Sequence, residues 1–425
     1  MPTRRDLMAA AALAGAATSS RAQAPDPLGG AGLYADVIRY ADFGDHRTAT
    51  EPDHQTSRWL ESELKRAGFK AHLSPWPTQQ FHIRHQSVAV GGKAYDSFPL
   101  WWPNPTGPEP LRGPLRLDDG RASLDGFVAL VPIDRVPGTS LRAGGEPACR
   151  IVDAAGRGAL GVILVTRDPA DEVVALNAMA GLSRLPVPVQ CVGGRDEAAL
   201  HAQALRRDAA EVLIDGVYDY AARGYEVIGE IGQGPETVVV STPSSGWFAC
   251  AGERGPGVAI WLALARWAAA NPRGHRWVFV ASSGHEMESV GIRHFVALDA
   301  PPAKEVKTWL HLGAGIATYA YDFGPGGPLR RPEPSRARRL MTNTQALAPR
   351  LARHFAPVGL RALVGDEPGG EMILMARQGY PVWGFAGGSA FHHMRSDTPE
   401  RITGPELLEP VARATAAALE EILVA

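Results

Sequence analysis

The spacing of apolar and polar positions divides the chain into stretches of different period. From Glu51 to Phe69, Leu60, Leu64 and Ala67 recur at i, i+4 and i+7 with polar residues between them, and Gly68 follows as a stop, which predicts an amphipathic helix. Residues 70–115 sustain no period and are rich in Trp and Pro. Trp101, Trp102, Pro103 and Pro105 read there as part of a connecting or covering segment. A small α/β series follows, with strand-like Gly126 to Ile133, Gly161 to Val165, Val187 to Val192 and Glu211 to Ile214 and helical Ala148 to Ala159 and Arg195 to Arg207.

The most regular series begins at Tyr225. Strand patterns at Thr237 to Ser241, Arg276 to Ser282, Thr308 to Leu312, Ala362 to Val364 and Val382 to Phe385 alternate with helix patterns. The helices are expected at Val258 to Ala270, Val290 to Leu298, Asn343 to Phe355, Glu371 to Gln378 and Pro405 to Leu423. Such alternation predicts a largely parallel sheet covered by helices on both faces, with its active site at the carboxyl ends of the strands. Residues 323–339, rich in Pro, Gly and Arg, read as a flexible surface loop.

Composition narrows the classes. A chain of 425 residues with 45% apolar content has ample core material for about three folded units at roughly 150 residues each. The balance of 43 basic and 45 acidic residues argues against nucleic acid or a polybasic membrane contact, and no apolar run reaches the roughly 18 residues of a stable membrane span. Cys149, Cys191 and Cys250 are too few and too scattered for a disulfide scaffold or a Cys-based zinc module, though one bridge plus a free thiol stays open. Thr3-Arg4-Arg5-Asp6-Leu7-Met8, an Ala-rich run and Ala22-Gln23-Ala24 resemble a twin-arginine export peptide over residues 1–24, which implies a periplasmic or secreted protein.

Three strand-end loops carry polar groups: Cys250 with Glu253 and Arg254, Ser282-Ser283-Gly284-His285-Glu286, and His392-His393-Met394-Arg395-Ser396-Asp397. Carboxylates and imidazoles converging at one sheet edge suit a borderline divalent ion such as zinc. No local two-His helix motif is present, since His285 and His294 are nine apart, and polar loops that merely face water give the same pattern. A Gly-x-Ser-x-Gly elbow is absent, which disfavours a serine hydrolase.

The order Arg47-Thr48-Ala49, the Leu60 helix, an inserted unit, Val227-Ile228-Gly229, Val238-Val239-Val240, Gly255-Pro256-Gly257, His285-Glu286 and His393 with Asp397-Thr398-Pro399 resembles the bacterial di-zinc aminopeptidase family with an inserted protease-associated domain. The resemblance implies an α/β fold, a mostly parallel sheet sandwiched by helices. It divides the chain into a leader at 1–24, the first part of a peptidase-like domain at 25–115, a protease-associated-like domain at 116–216, and the main peptidase-like part at 217–425.

Matched residue by residue, the family's ligands are only partly present. Pro243 falls where the first His is expected, Glu253-Arg254 where a bridging Asp precedes Asn, His285-Glu286 where a Glu pair stands, Gly313 where a later Asp stands, and His393 on the final His. One zinc's ligand set therefore loses two members, while Glu253, Glu286 and His393 complete the other in kind. This implies one divalent metal, zinc first, with His285 in the general-base position. His311, on the same strand face as Gly313, and His392 are further candidate ligands; Arg254 and Arg395 are candidate partners of a substrate carboxylate.

The expected function is an exported metal-dependent hydrolase acting on a peptide, amide or related small substrate. A non-catalytic binding protein and a different reaction such as elimination stay open, and the sequence does not specify the oligomeric state.

Overall fold

A computed structural model describes residues 26–134, 146–178, 183–271 and 274–424. The leader-like segment 1–24 lies outside the described residues.

The main sheet has eight strands, in the order Lys70–Pro77, Arg223–Ile231, Arg276–Ser282, Thr237–Pro243, Val306–Leu312, Val382–Phe385, Leu340–Thr342 and Ala362–Val364. Its centre is parallel, from Arg276–Ser282 through Val382–Phe385. Both flanks carry antiparallel pairs, so the sheet is mixed rather than largely parallel. Thr237–Pro243 is buried along its whole length, as a strand covered on both faces must be. Successive side chains go to opposite layers: Val238 and Val240 pack with the helices Gly30–Ala41, Gly255–Ala270 and Pro405–Leu423, whereas Val239 packs with Ile292, Phe295, Met372 and Met375 from the other face. Gly255–Ala270 is apolar nearly all round because sheet and neighbouring helices enclose it.

The second sheet also has eight strands, in the order Lys93–Tyr95, Gln80–Val90, Ala209–Asp219, Leu111–Leu117, Val128–Asp134, Gly161–Arg167, Val189–Gly193 and Ser97–Pro99. The segment read as irregular is in fact largely strand. Lys70–Pro77 is the edge of the main sheet, where Pro75 and Pro77 cost little, and residues 80–117 supply four strands of the second sheet. Gln80–Val90 lies antiparallel to Ala209–Asp219, so this unit enters and leaves side by side. A buried cluster of Phe98, Trp101 and Trp102 with Trp247, Phe248, Phe391 and Met394 joins the two sheets and fixes the loops at 244–254 and 386–398. The stretch read as a surface loop is a two-stranded hairpin, Tyr319–Gly324 with Gly327–Pro334, turned at Gly327 with φ +88°. The three cysteines are unpaired, and among the described residues no helix is long and apolar enough to cross a membrane.

Candidate functional site

The strand Thr237–Pro243 ends in a buried turn, Ser244-Ser245, and the chain then passes through Phe248 and Cys250, both with positive φ, before Glu253-Arg254 opens the helix Gly255–Ala270. Asp397 clamps this turn from across the site: its carboxylate accepts the backbone N–H groups of Gly252 at 2.7 Å and Glu253 at 3.1 Å. Gly252 is obligatory for that approach, because a Cβ there would stand 2.7 Å from Asp397 Oδ1 and 2.3 Å from Ile402.

Arg254 is 1% exposed, and its guanidinium lies between two buried carboxylates. Nη2 is 2.7 Å from Glu253 Oε1 and 2.6 Å from Glu286 Oε1, while Nε donates to the Ser245 carbonyl at 2.9 Å. Ser245 Oγ donates to Glu286 Oε2 and accepts from the Gly284 N–H and the Thr48 hydroxyl. The Glu286 carboxylate is therefore committed at both oxygens.

Glu253 also faces two imidazoles, with His393 Nε2 at 3.4 Å and His392 Nε2 at 3.6 Å from Oε1. Burial acts to raise its pKa, but Arg254 and the two histidines outweigh burial and hold it well below the usual carboxylate range. The His392 and His393 rings stack at 4.2 Å. His393 has φ +62° and its Nδ1 donates to the Ala175 carbonyl at 2.9 Å, which in a neutral ring leaves Nε2 unprotonated and turned toward Glu253. Glu253, His392 and His393 present ligand atoms all within 4.8 Å of one another, the one group of this kind among the described residues.

His285 follows Gly284, whose φ of +91° turns the loop, and its Nδ1 pairs with Glu371 Oε1 at 2.7 Å. Burial and Arg254 push the His285 pKa down, yet the Glu371 carboxylate prevails and raises it above the ordinary value. Burial likewise works to raise Glu371, but His285, His311 and Arg254 bring it down to about 2. His311 sits behind this pair. Its Nδ1 meets Ser241 Oγ at 2.9 Å, its Nε2 is 3.7 Å from Glu371 Oε2, and burial lowers its pKa to about 4.

Glu253, Arg254, His285, Glu371, His392 and His393 all line one cavity of about 500 Å³. Of the residues singled out from sequence, Glu286 pairs with Arg254 outside the three-residue group, and His311 belongs with Glu371. Arg395 lies away from this cavity, pairing with Asp96 and stacking on Phe248. Gly313 lines the cavity, but a Cβ there would collide with the Phe385 carbonyl at 2.3 Å, so this backbone path admits no side chain at that position. Sequence reasoning missed Glu371 and Ser245, and named Asp397 in the third polar loop without giving it a role. Glu371 stands at a helix start, where an acid looks like a first-turn residue, and nothing local marks it as the partner of an imidazole 86 positions away.

The fold is that of the zinc aminopeptidases. The Bacillus subtilis zinc aminopeptidase superposes with a TM-score of 0.72 at 16% identity, covering 93% of this chain and 96% of that one. An aminopeptidase from an Aneurinibacillus species gives 0.63 at 16% identity, covering 92% and 93%. A peptidase M28 precursor from Shewanella amazonensis gives 0.70 at 15%, covering 93% and 95%. No protein-family model matches the chain, and no curated protein matches it by sequence. The likeness is thus one of architecture over nearly the whole chain.

Proposed function

We propose that this chain is an exported, metallopeptidase-like hydrolase working with one divalent ion, zinc first, held by Glu253, His392 and His393. The observation that carries the reading is that the His285–Glu371 pair opens onto the same cavity as that three-residue group. The donor set fits such an ion: one carboxylate held ionised and two imidazoles, one of them oriented from behind by a backbone carbonyl. When bound there, a divalent ion polarises a carbonyl and favours attack on it.

The chain's own residues supply the rest. Glu371 accepts from His285 Nδ1–H and leaves Nε2 for proton exchange with a molecule in the cavity. Segment 173–178 of the second sheet's unit, which we read as the protease-associated-like insertion, closes one side through the Ala175–His393 and Ala178–Glu286 backbone contacts. The substrate is a peptide, amide or related small molecule. The test is ion content after purification together with turnover of aminoacyl and dipeptide amides with and without Zn²⁺, Mn²⁺ or Ca²⁺. The expected result is one ion in the parent chain, none in His393→Ala, and turnover that needs the ion. Absence of an ion and of turnover in the parent chain defeats the reading.

A second reading, a binding protein that kept the pocket without the chemistry, is favoured by Arg254. A fixed cation already neutralises Glu253 and Glu286. Ligand binding that is unchanged by chelation, with no turnover of any substrate, would select it.

A further inference from the structure

We infer that the Arg254 guanidinium permanently occupies a cation position between Glu253 and Glu286, so that this chain takes up one divalent ion at most and gains a new ion site when the guanidinium is removed. The inference concerns Arg254 and holds whether or not the single-ion hydrolase reading does.

A single nitrogen, Arg254 Nη2, touches both Glu253 Oε1 and Glu286 Oε1. The remaining oxygen of each carboxylate is engaged elsewhere: Glu253 Oε2 accepts the Cys250 S–H at 3.3 Å and Glu286 Oε2 the Ser245 hydroxyl at 3.1 Å. The two Oε1 atoms are therefore turned toward one centre, and that centre is a guanidinium nitrogen. Its anchoring is asymmetric. Nε and Nη2 are bonded, whereas Nη1 is buried without a hydrogen-bond partner among the described residues, so the guanidinium's charge is directed at Nη2.

Without that charge, two buried carboxylates would face each other across the position that Nη2 now holds, with the Asp397 carboxyl close by. Uncompensated buried carboxylates either protonate or bind a cation, and two carboxylate oxygens turned to one centre supply a divalent ion with two ligands that water can complete. Gly313, which lines the same cavity, has no room for a side chain, and Pro243 has none that coordinates.

The experiment is metal titration of chelator-stripped protein, read as ions per chain by elemental analysis after gel filtration. The parent chain is expected to saturate at one ion or none, Arg254→Ala to hold one ion more than the parent, and Arg254→Lys, which keeps a cation, to show no gain. Glu286→Gln in the parent background should leave the stoichiometry unchanged, while in the Arg254→Ala background it should abolish the gain. Two ions in the parent chain, no gain in a folded Arg254→Ala, or loss of the parent's ion in Glu286→Gln each overturn the inference. Should Arg254→Ala fail to fold, the parent stoichiometry and Glu286→Gln still decide it. A parent chain with no ion whose Arg254→Ala variant binds one would defeat the hydrolase reading and uphold this one.

Discussion

Glu371 Oε1 lies 2.7 Å from His285 Nδ1, joining a loop at one strand end to a helix start at another. The carboxylate is nearly buried and stays ionised, so it fixes which nitrogen of His285 carries the proton and raises that proton's affinity.

Replacing Glu371 with Gln should lower the His285 pKa. If the unprotonated ring acts as base, the acid limb of the rate profile lies at the raised pKa in the parent chain and moves to lower pH in the variant. His285→Ala should cost about 10²–10⁴-fold in kcat with little change in ion content. Following the His285 ring signal by NMR across pH checks the first point independently of turnover: a midpoint unmoved in Glu371→Gln would refute the pairing.

Glu226 gives a stability prediction. It is fully buried, both carboxylate oxygens lack a hydrogen-bond partner among the described residues, and His294 Nδ1 is 3.5 Å away. Burial, aided by Asp299, pushes its pKa up to about 9. A carboxyl raised in the folded state contributes stability fully present below its unfolded pKa, about 4.3, and loses it as pH rises through 9. Glu226→Gln should therefore stabilise the chain at pH 8.5 by on the order of 1–3 kcal/mol, read as a raised Tm, and have much less effect at pH 5. Equal effects at both pH values would contradict the assignment.

Gly252→Ala should destabilise the chain by about 1–3 kcal/mol, because the added methyl meets Ile402 and Asp397 in a packed turn. Denaturant midpoints measure the loss, and ion affinity should fall with it, since the same shift displaces Glu253.

Ser245→Ala should cost about 1–3 kcal/mol, for it leaves the Gly284 N–H and Glu286 Oε2 short of a partner inside the protein. Ser245→Thr keeps the hydroxyl and should retain part of the stability unless its extra methyl clashes. A Tm unchanged in the Ala variant would mean that this hydroxyl does not hold the two loops together.

The sequence was most legible where local period and burial agree. Arg276–Ser282, Val290–Leu298 and Pro405–Leu423 lie where apolar runs predict them, because each is packed along the faces that its own pattern displays. Lys70–Pro77 and Gln80–Val90 were illegible for the opposite reason. Their partners, Arg223–Ile231 and Ala209–Asp219, lie more than a hundred positions on, and the intervening prolines and half-exposed polar residues erase the alternation. The same division runs through the site. Glu253 and His393 were readable by order along the chain, but that Arg254 would turn inward to bridge two acids depends on a turn whose geometry no spacing encodes.

The reciprocal clasp between Ala175 and His393, in which each backbone carbonyl receives a donor from the other residue, has a bearing on any attempt to shrink this protein. Excising residues 79–222 and splicing the ends would preserve the main sheet's interior, yet strip one imidazole of the carbonyl that orients it. A minimal version would have to import a replacement acceptor at that spot, or accept a histidine free to rotate.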